Sequence, residues 1–452
     1  MLFSKPVQQE IKETVGLAIP IIIAQLGVVL MGVADNIMVG RMLGKTALGA
    51  AGLANSIAFM VGSLAVGGLA VVAPLVSKAN AEQDTGRISQ LFRASIWVAI
   101  GFSVVLTTIT GLCAAYFPLF GQPDSVNVLA EPFLWVIGLS NIPLILFVAT
   151  KQLSDGLGLT RVAMSVTLVG LAINVVLNYL GMSEHYLDLG ILGAAYATLT
   201  TRVVMFVVLF GYVRWNRRFE AIFQAAYAHL PLKEMAGLIT KLSIPGGFQF
   251  FFEIAAFSIA VIMMGWIGEN ELAAHQVAIN IASTFYMMAS GIGFAGGIRV
   301  GDGRGQGRPS QIRRSGNVAV GLVIAFMSTT MLAMIFLDEW FVSLYLNEPT
   351  VRAIAIRLIF IAAIFQLSDG LQVVALGTLR GLSDVTLPTI ITFVAYWVIA
   401  LPLGYVLAFY TDLAERGVWY GLLAGLTASA VLLLFRFYHL TQPEQIRRKL
   451  VR

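Results

Sequence analysis

Residues 14–40 read TVGLAIPIIIAQLGVVLMGVADNIMVG. No charge interrupts the run before Asp35, and about 20 apolar residues suffice to cross a bilayer core as a helix. Helix is the required conformation, because hydrocarbon offers no partner to a free backbone N–H or C=O. Strands of a membrane barrel would instead alternate polar and apolar residues over about ten positions. Lys5 and Lys12 precede the run. It is too long for the apolar centre of a signal peptide and no small-residue cleavage site follows promptly, so it reads as a retained first span.

The rest of the chain has the same character. Hydrophobic residues make up 58% of the 452 positions and charged residues 12%, against about 25% charged in an ordinary globular protein. Mean hydropathy is +0.84. So little polar surface cannot cover a soluble core of this size. These values exclude a disordered chain, a collagen-like fibre, a disulfide scaffold and most soluble enzymes. The net charge of +5 needs no nucleic acid to explain it, since basic residues collect in the cytoplasmic loops of membrane proteins. The single cysteine, Cys113, has no disulfide partner and sits in an apolar run as a packing residue.

Twelve spans are expected, at 14–40, 47–76, 92–117, 131–152, 162–182, 190–213, 240–268, 272–300, 316–338, 352–377, 386–409 and 418–440. The polar stretch Arg214–Lys241 divides them six and six. The domain reading is a lobe at 1–218, a cytoplasmic linker at 219–239 and a lobe at 240–452. One set of span ends carries 23 of the 29 basic residues, among them Lys5, Lys78, Arg217, Arg313, Arg314 and the tail Arg447-Arg448-Lys449. The opposite ends carry five: Arg41, Lys45, Arg352, Arg357 and Arg416. The basic side is the cytoplasmic one, which places both termini inside.

The two halves also repeat. Ala18-Ile19-Pro20 and Ser243-Ile244-Pro245 open spans one and seven at an offset of 225 residues. Ile37-Met38-Val39-Gly40 and Ile262-Met263-Met264-Gly265 keep that offset. Ile88-Ser89-Gln90-Leu91 resembles Pro309-Ser310-Gln311-Ile312, and Gln122-Pro123 pairs with Glu348-Pro349. Two six-span repeats insert in the same orientation and are parallel repeats, an arrangement typical of alternating-access transporters.

A charge at the bilayer centre costs at least about 2.5–3.5 kcal/mol on insertion scales, so an acid there is a functional candidate. Asp35 in span one, Glu253 in span seven and Asp369 in span ten are such acids, and none has a basic residue within a turn or two of its own helix. An unpaired carboxylate in hydrocarbon either takes up a proton or holds a cation. Asn174 and Asn178 in span five share one helical face. Their amides would donate to a carboxylate, ligate Na⁺, or join helices. Arg202 lies inside span six and either snorkels or pairs with an acid of another span. His275 opens span eight, and Phe248, Phe250, Phe251, Phe252 and Phe257 form an aromatic stripe. The glycines after Arg299 lack the Gly-Lys-Ser/Thr ending of a phosphate-binding loop.

Taken together, Ala34-Asp35-Asn36-Ile37-Met38-Val39-Gly40, Glu253, Ala273-Ala274-His275-Gln276, Ile298-Arg299-Val300-Gly301 and the stretch from Asp369-Gly370 to Gly377-Thr378-Leu379-Arg380-Gly381 resemble the multidrug and toxic compound extrusion (MATE) family, on its NorM-like branch. The resemblance runs from Ile11 to Tyr438. It implies an all-α integral membrane fold of twelve helices in two six-helix lobes set in a V. It also implies export of organic cations and drugs driven by inward Na⁺ or H⁺, with no cofactor and no enzymatic activity. Asp35, Asn174 and Asn178 match an amino-terminal-lobe site. Glu253 and Asp369 match a carboxy-terminal-lobe cation site able to take Na⁺. Phe365 stands where relatives often carry a Tyr, one turn before Asp369, and loss of that hydroxyl weakens Na⁺ relative to H⁺. Phe252, Phe365 and His275 are expected to line the substrate cavity. The expected setting is a bacterial inner membrane, with small-molecule substrates and the lipid bilayer as partners, no nucleic acid, and a monomeric chain. The alternative is a lipid-linked saccharide flippase, against which twelve spans and three buried acids argue.

Overall fold

The computed structural model describes residues 5–120, 123–225, 231–345 and 348–442. Gln122, His229-Leu230 of the linker, and the tail positions Arg447, Arg448, Lys449 and Arg452 lie outside the described residues. Among the described residues there are helices and no strand. In chain order they are α1 (Lys5–Leu43), α2 (Lys45–Leu69), α3 (Val72–Ala81), α4 (Thr85–Ala115), α5 (Asp124–Gly156), α6 (Thr160–Met182), α7 (Ile191–Trp215) and α8 (Arg217–Gln224). The second half comprises α9 (Leu232–Ile267), α10 (Glu269–Gly305), α11 (Pro309–Phe336), α12 (Asp338–Ser343), α13 (Pro349–Gly381), α14 (Thr386–Phe393), α15 (Leu401–Phe409) and α16 (Glu415–Leu440). They supply twelve segments long and apolar enough to cross a membrane.

Local chemistry explains the helix ends. The Asp84 carboxylate accepts the Arg87 backbone N–H at 2.9 Å and caps α4, satisfying one of the donors a helix start leaves open. Pro309 and Pro349 open α11 and α13, where a missing N–H costs nothing. Span eleven is composite. Between α14 and α15 residues Val394–Ala400 form a π-helix, whose widened turn closes with Leu401 N–H donating to Tyr396 C=O. Pro402 follows at once and has no N–H to continue the regular ladder.

The chain divides into two compact units, residues 23–247 and residues 1–22 with 248–452. The division falls inside α1 and α9, and α8 overlaps the first residues of the 219–239 stretch. The two cuts are 225 residues apart, the offset of the sequence repeat, and each lies two residues after a helix proline, Pro20 or Pro245.

Within residues 23–247, α5 packs on α7 and α4, and α6 on α7. Gly181 and Gly193 let α6 approach α7 closely, since a Cβ on Gly181 would sit 2.9 Å from Gly193 Cα. In the other unit α10 packs along α13, and a Cβ on Gly293 would lie 2.8 Å from Val373 O. Small residues that admit backbone contact are what drives helix association in lipid.

The start of α1 is tied to its unit by charge. Glu10 is 2% exposed and accepts from Arg299 Nε at 2.8 Å, Arg299 Nη2 at 3.0 Å and Ser315 Oγ at 2.8 Å. Arg299 also meets Glu13 at 2.5 Å and Asp302 at 3.1 Å. The paired guanidinium and carboxylate satisfy each other, which is the condition for burying either.

Candidate functional site

In the unit of residues 23–247, Asp35 is a partly buried acid late in α1. Asn178 Nδ2 donates to Asp35 Oδ1, and Thr198 Oγ1 of α7 donates to Oδ2 at 3.3 Å. Asn178 Nδ2 also reaches Asn174 Oδ1 at 3.1 Å, one turn back along α6. Both asparagines are fully buried. The predicted face of α6 therefore meets the predicted acid of α1. Arg202 is neither snorkelling nor bonded to Asp35. Its Nη1 donates to Ser140 Oγ of α5 at 2.6 Å, and the guanidinium is near enough for its charge to act on Asp35. Thr198, Ser140 and Arg202 complete the site. Thr198 and Ser140 carried no signal in the sequence, because a hydroxyl inside an apolar helix usually bonds its own backbone.

In the other unit, Glu253 of α9 and Asp369 of α13 come together. Both are nearly fully buried, at 5% and 4% exposure, and lie close enough to repel when both are charged. The Tyr286 phenol of α10 lies beside Glu253. Tyr396, in the π-helical turn, receives Gln372 Nε2 at 3.0 Å and lies near both acids. Wide helical turns recur at functional sites, and this one carries a phenol to the carboxylates. Arg380, about three turns beyond Asp369, donates through Nη2 to Gln249 Oε1 at 3.0 Å and rests 5.6 Å above the Phe250 ring. Its charge acts on Glu253. Glu253 Oε2 and Asp369 Oδ1 are buried with no hydrogen-bond partner among the described residues.

These oxygens, with two phenols beside them, are the donor type that hard cations take. An Na⁺ ion or a proton fits the orphaned atoms. The sequence located both acids but not Tyr286, Tyr396, Gln249 or Gln372, which come from four helices. Phe365 packs on Trp419, and the phenol beside Glu253 is Tyr286, on a neighbouring helix. Among the described residues no group of three or more His, Cys, Asp or Glu side chains is placed to hold a metal.

The expected cavity residues separate. His275 and Phe365 are 0% and 1% exposed and both pack against the buried Trp419 ring, each at 5.4 Å between centroids. They belong to the apolar core and line no open space here, so the expectation of a cavity role is corrected for these two. An aromatic ring gains most by filling such a core. Phe252 is partly exposed and joins Phe248, Phe393 and Trp397, with ring distances of 5.8, 5.0 and 6.3 Å. Three further buried acids are paired with cations: Glu10 with Arg299, Asp155 with Lys151 one turn earlier in α5 at 2.6 Å, and Glu415 with Arg357 at 3.5 Å.

Twelve spans in two repeats, with carboxylates set inside the spans of each, define a multi-pass membrane transporter rather than an enzyme. The profile of the MatE family matches residues 20–180 and again residues 245–406. The chain therefore belongs to the MatE family, and the two matches reproduce the duplication read from the sequence. A probable multidrug resistance protein NorM of Bacillus cereus (strain ATCC 10987 / NRS 248) is 33% identical, over 98% of this chain and 96% of its own length. The multidrug resistance protein NorM of Burkholderia vietnamiensis is 32% identical, over 94% and 93%. Among solved structures, a eukaryotic MATE transporter superposes with a TM-score of 0.89 at 20% identity, covering 98% of both chains. An outward-facing multidrug resistance MATE transporter superposes at 0.86 and 19%, covering 99% and 100%. At those identities the likeness bears on the fold.

Proposed function

We propose that the chain is a secondary multidrug antiporter that exports organic cations and drugs in exchange for inward Na⁺ or H⁺ by alternating access. The observation that carries this reading is the pair of orphaned, buried carboxylate oxygens on Glu253 and Asp369. Two acids and one arginine leave the cluster one negative charge in excess, and one monovalent cation neutralises it. Asp35 is the second coupling carboxylate, held by Asn178 and Thr198. Relatives at 32–33% identity are named multidrug resistance proteins, which supports drug-like substrates. A coupling ion shifts the equilibrium between two conformations only by its differential affinity for them. The carboxylates provide that difference when one conformation strips them of water and the other does not. The aromatic group around Phe252 offers ring faces to an organic cation. The setting is a bacterial inner membrane, with both termini on the basic, cytoplasmic side and a monomer as the working unit.

The test is dye movement in reconstituted vesicles under an imposed Na⁺ gradient or an imposed pH gradient, each alone. Export with Na⁺ alone assigns Na⁺ to Glu253 and Asp369 with Tyr286 as a neighbouring ligand. Export with the pH gradient alone assigns a proton. Dye movement under neither gradient overturns the antiporter reading.

A further inference from the structure

A groove of about 960 Å³ opens in the unit of residues 1–22 and 248–452, between the start of α1, α11 and Thr441 at the end of α16. Its lining includes none of the residues of either carboxylate site. Its mouth carries Arg313 and Arg314, and its wall is apolar, with Val7 and Ile11 from α1 and Val318 and Leu322 from α11. We propose that this groove binds one anionic phospholipid of the leaflet on the basic side, its phosphate on Arg313 and Arg314 and its acyl chains along α11.

Three observations lead there. First, the dimensions fit a lipid. Val318, Gly321, Leu322 and Ala325 repeat at helical spacing along one face of α11. From Arg314 to Ala325 the helix rises about 16 Å at ~1.5 Å per residue, close to the half-thickness, about 15 Å, of a hydrocarbon core. Second, the floor is open. A Cβ built on Gly321 meets nothing within 4 Å, so the face is unfilled by other side chains.

Third, the charges select an anion. Arg313 is exposed, with no ion pair among the described residues. Arg314 Nε has no hydrogen-bond partner, and its nearest carboxylate, Glu10, is 3.9 Å away and already taken by Arg299 and Ser315. Glu13, the other acid on this part of α1, is likewise held by Arg299. The mouth therefore keeps positive charge unspent at headgroup level, and basic pockets between helices on the cytoplasmic side are where anionic headgroups bind. The chain's own last residues are a poor occupant, because Arg447, Arg448, Lys449 and Arg452 outweigh the single acid Glu444 and share the sign of the arginines.

The test is native mass spectrometry of the full chain in detergent, titrated with a two-chain phosphatidylglycerol and with the matching phosphatidylcholine. Phosphatidylglycerol should bind more tightly, by roughly fivefold for each arginine. Arg313→Gln alone should cut that preference about fivefold, and Arg313→Gln with Arg314→Gln should abolish it. Gly321→Leu should weaken both lipids by filling the floor. Gly101→Leu, at an open glycine of α4 in the other unit, should change neither. Three outcomes overturn the proposal: an unchanged preference in the arginine variants, Gly321→Leu without effect, or inorganic phosphate competing as well as the lipid does. Tighter lipid binding after removal of residues 443–452 would place the tail in the groove and also overturn it. The readout is binding, so its failure leaves the antiporter reading untouched.

Discussion

The Asp35 site and the Glu253–Asp369 site lie in corresponding halves of a duplicated chain, yet they are not copies. At the repeat offset of 225, Asp35 corresponds to Ala260 and Glu253 to Val28. One site is a lone, partly buried carboxylate whose oxygens are met by uncharged donors, with Arg202 acting from a distance. The other is a nearly dry pair of acids with orphaned oxygens and a single buried arginine. Duplication copied the helices and the prolines Pro20 and Pro245. The charges were placed independently in each half. In the first site an acid faces a nearby arginine and the sum is near zero. In the second, two acids face one arginine, and the proposed function assigns the excess negative charge to a small cation.

That contrast predicts a graded series. The largest effect is expected for Asp35→Asn, because an amide cannot change charge and no second acid stands beside it. Gradient-driven dye export should fall to background while the protein still elutes as a folded species on size exclusion. Normal drug resistance in cells carrying this variant would remove Asp35 from the coupling role. Next come Glu253→Gln and Asp369→Asn, each of which leaves one acid against Arg380 and a neutral site. Two unit charges about 4 Å apart interact by about 4 kcal/mol at an effective dielectric of 20, so cation affinity should drop by at least about a hundredfold. An ion dependence of export unchanged in both variants would show the two acids to be structural.

Smaller effects sharpen the picture. Tyr286→Phe removes a hydroxyl beside a carboxylate, and a hydrogen bond to a charged group is worth about 1.5–3 kcal/mol. The half-saturating cation concentration should shift by about tenfold, and in the same variant the melting temperature should hold. Glu10→Met is expected to leave coupling alone. Its counterpart at the repeat offset is Met235, buried to a similar degree. Arg299 keeps Glu13 and Asp302 after the change, so the loss in stability should be about 1–2 kcal/mol, below the 3–5 typical of an orphaned buried charge. A larger fall in melting temperature would mean that Glu10 alone holds the start of α1.

Much of this was legible beforehand. The spans follow from apolar run length, and the repeat follows from matched segments such as Ala18-Ile19-Pro20 and Ser243-Ile244-Pro245. Asp35, Glu253 and Asp369 stood out because each is an acid in a helix without a basic neighbour. Asn174 and Asn178 stood out by spacing. The partners from other helices did not. Nothing local marks Tyr286 or Thr198, since a phenol or hydroxyl in a span is ordinary until a carboxylate arrives from elsewhere. His275 and Phe365 misled for the converse reason: a polar or aromatic residue beside a motif looks functional, and only packing shows it spent on Trp419.

By itself the sequence determined that the chain is helical, crosses the membrane twelve times, is built from two parallel repeats, and carries acids where hydrocarbon penalises them. These are properties of single segments, set by length, periodicity and the cost of an unpaired charge in lipid. The tertiary structure decided which acids stand alone and which are paired, where Arg202 and Arg380 spend their donors, and that α1 and α9 each divide between units. Those outcomes depend on which helix faces meet. The small residues that let the faces meet, such as Gly181 with Gly193 and Gly293 with Val373, act between one helix and another, where the pattern of any one segment carries no record of its neighbour.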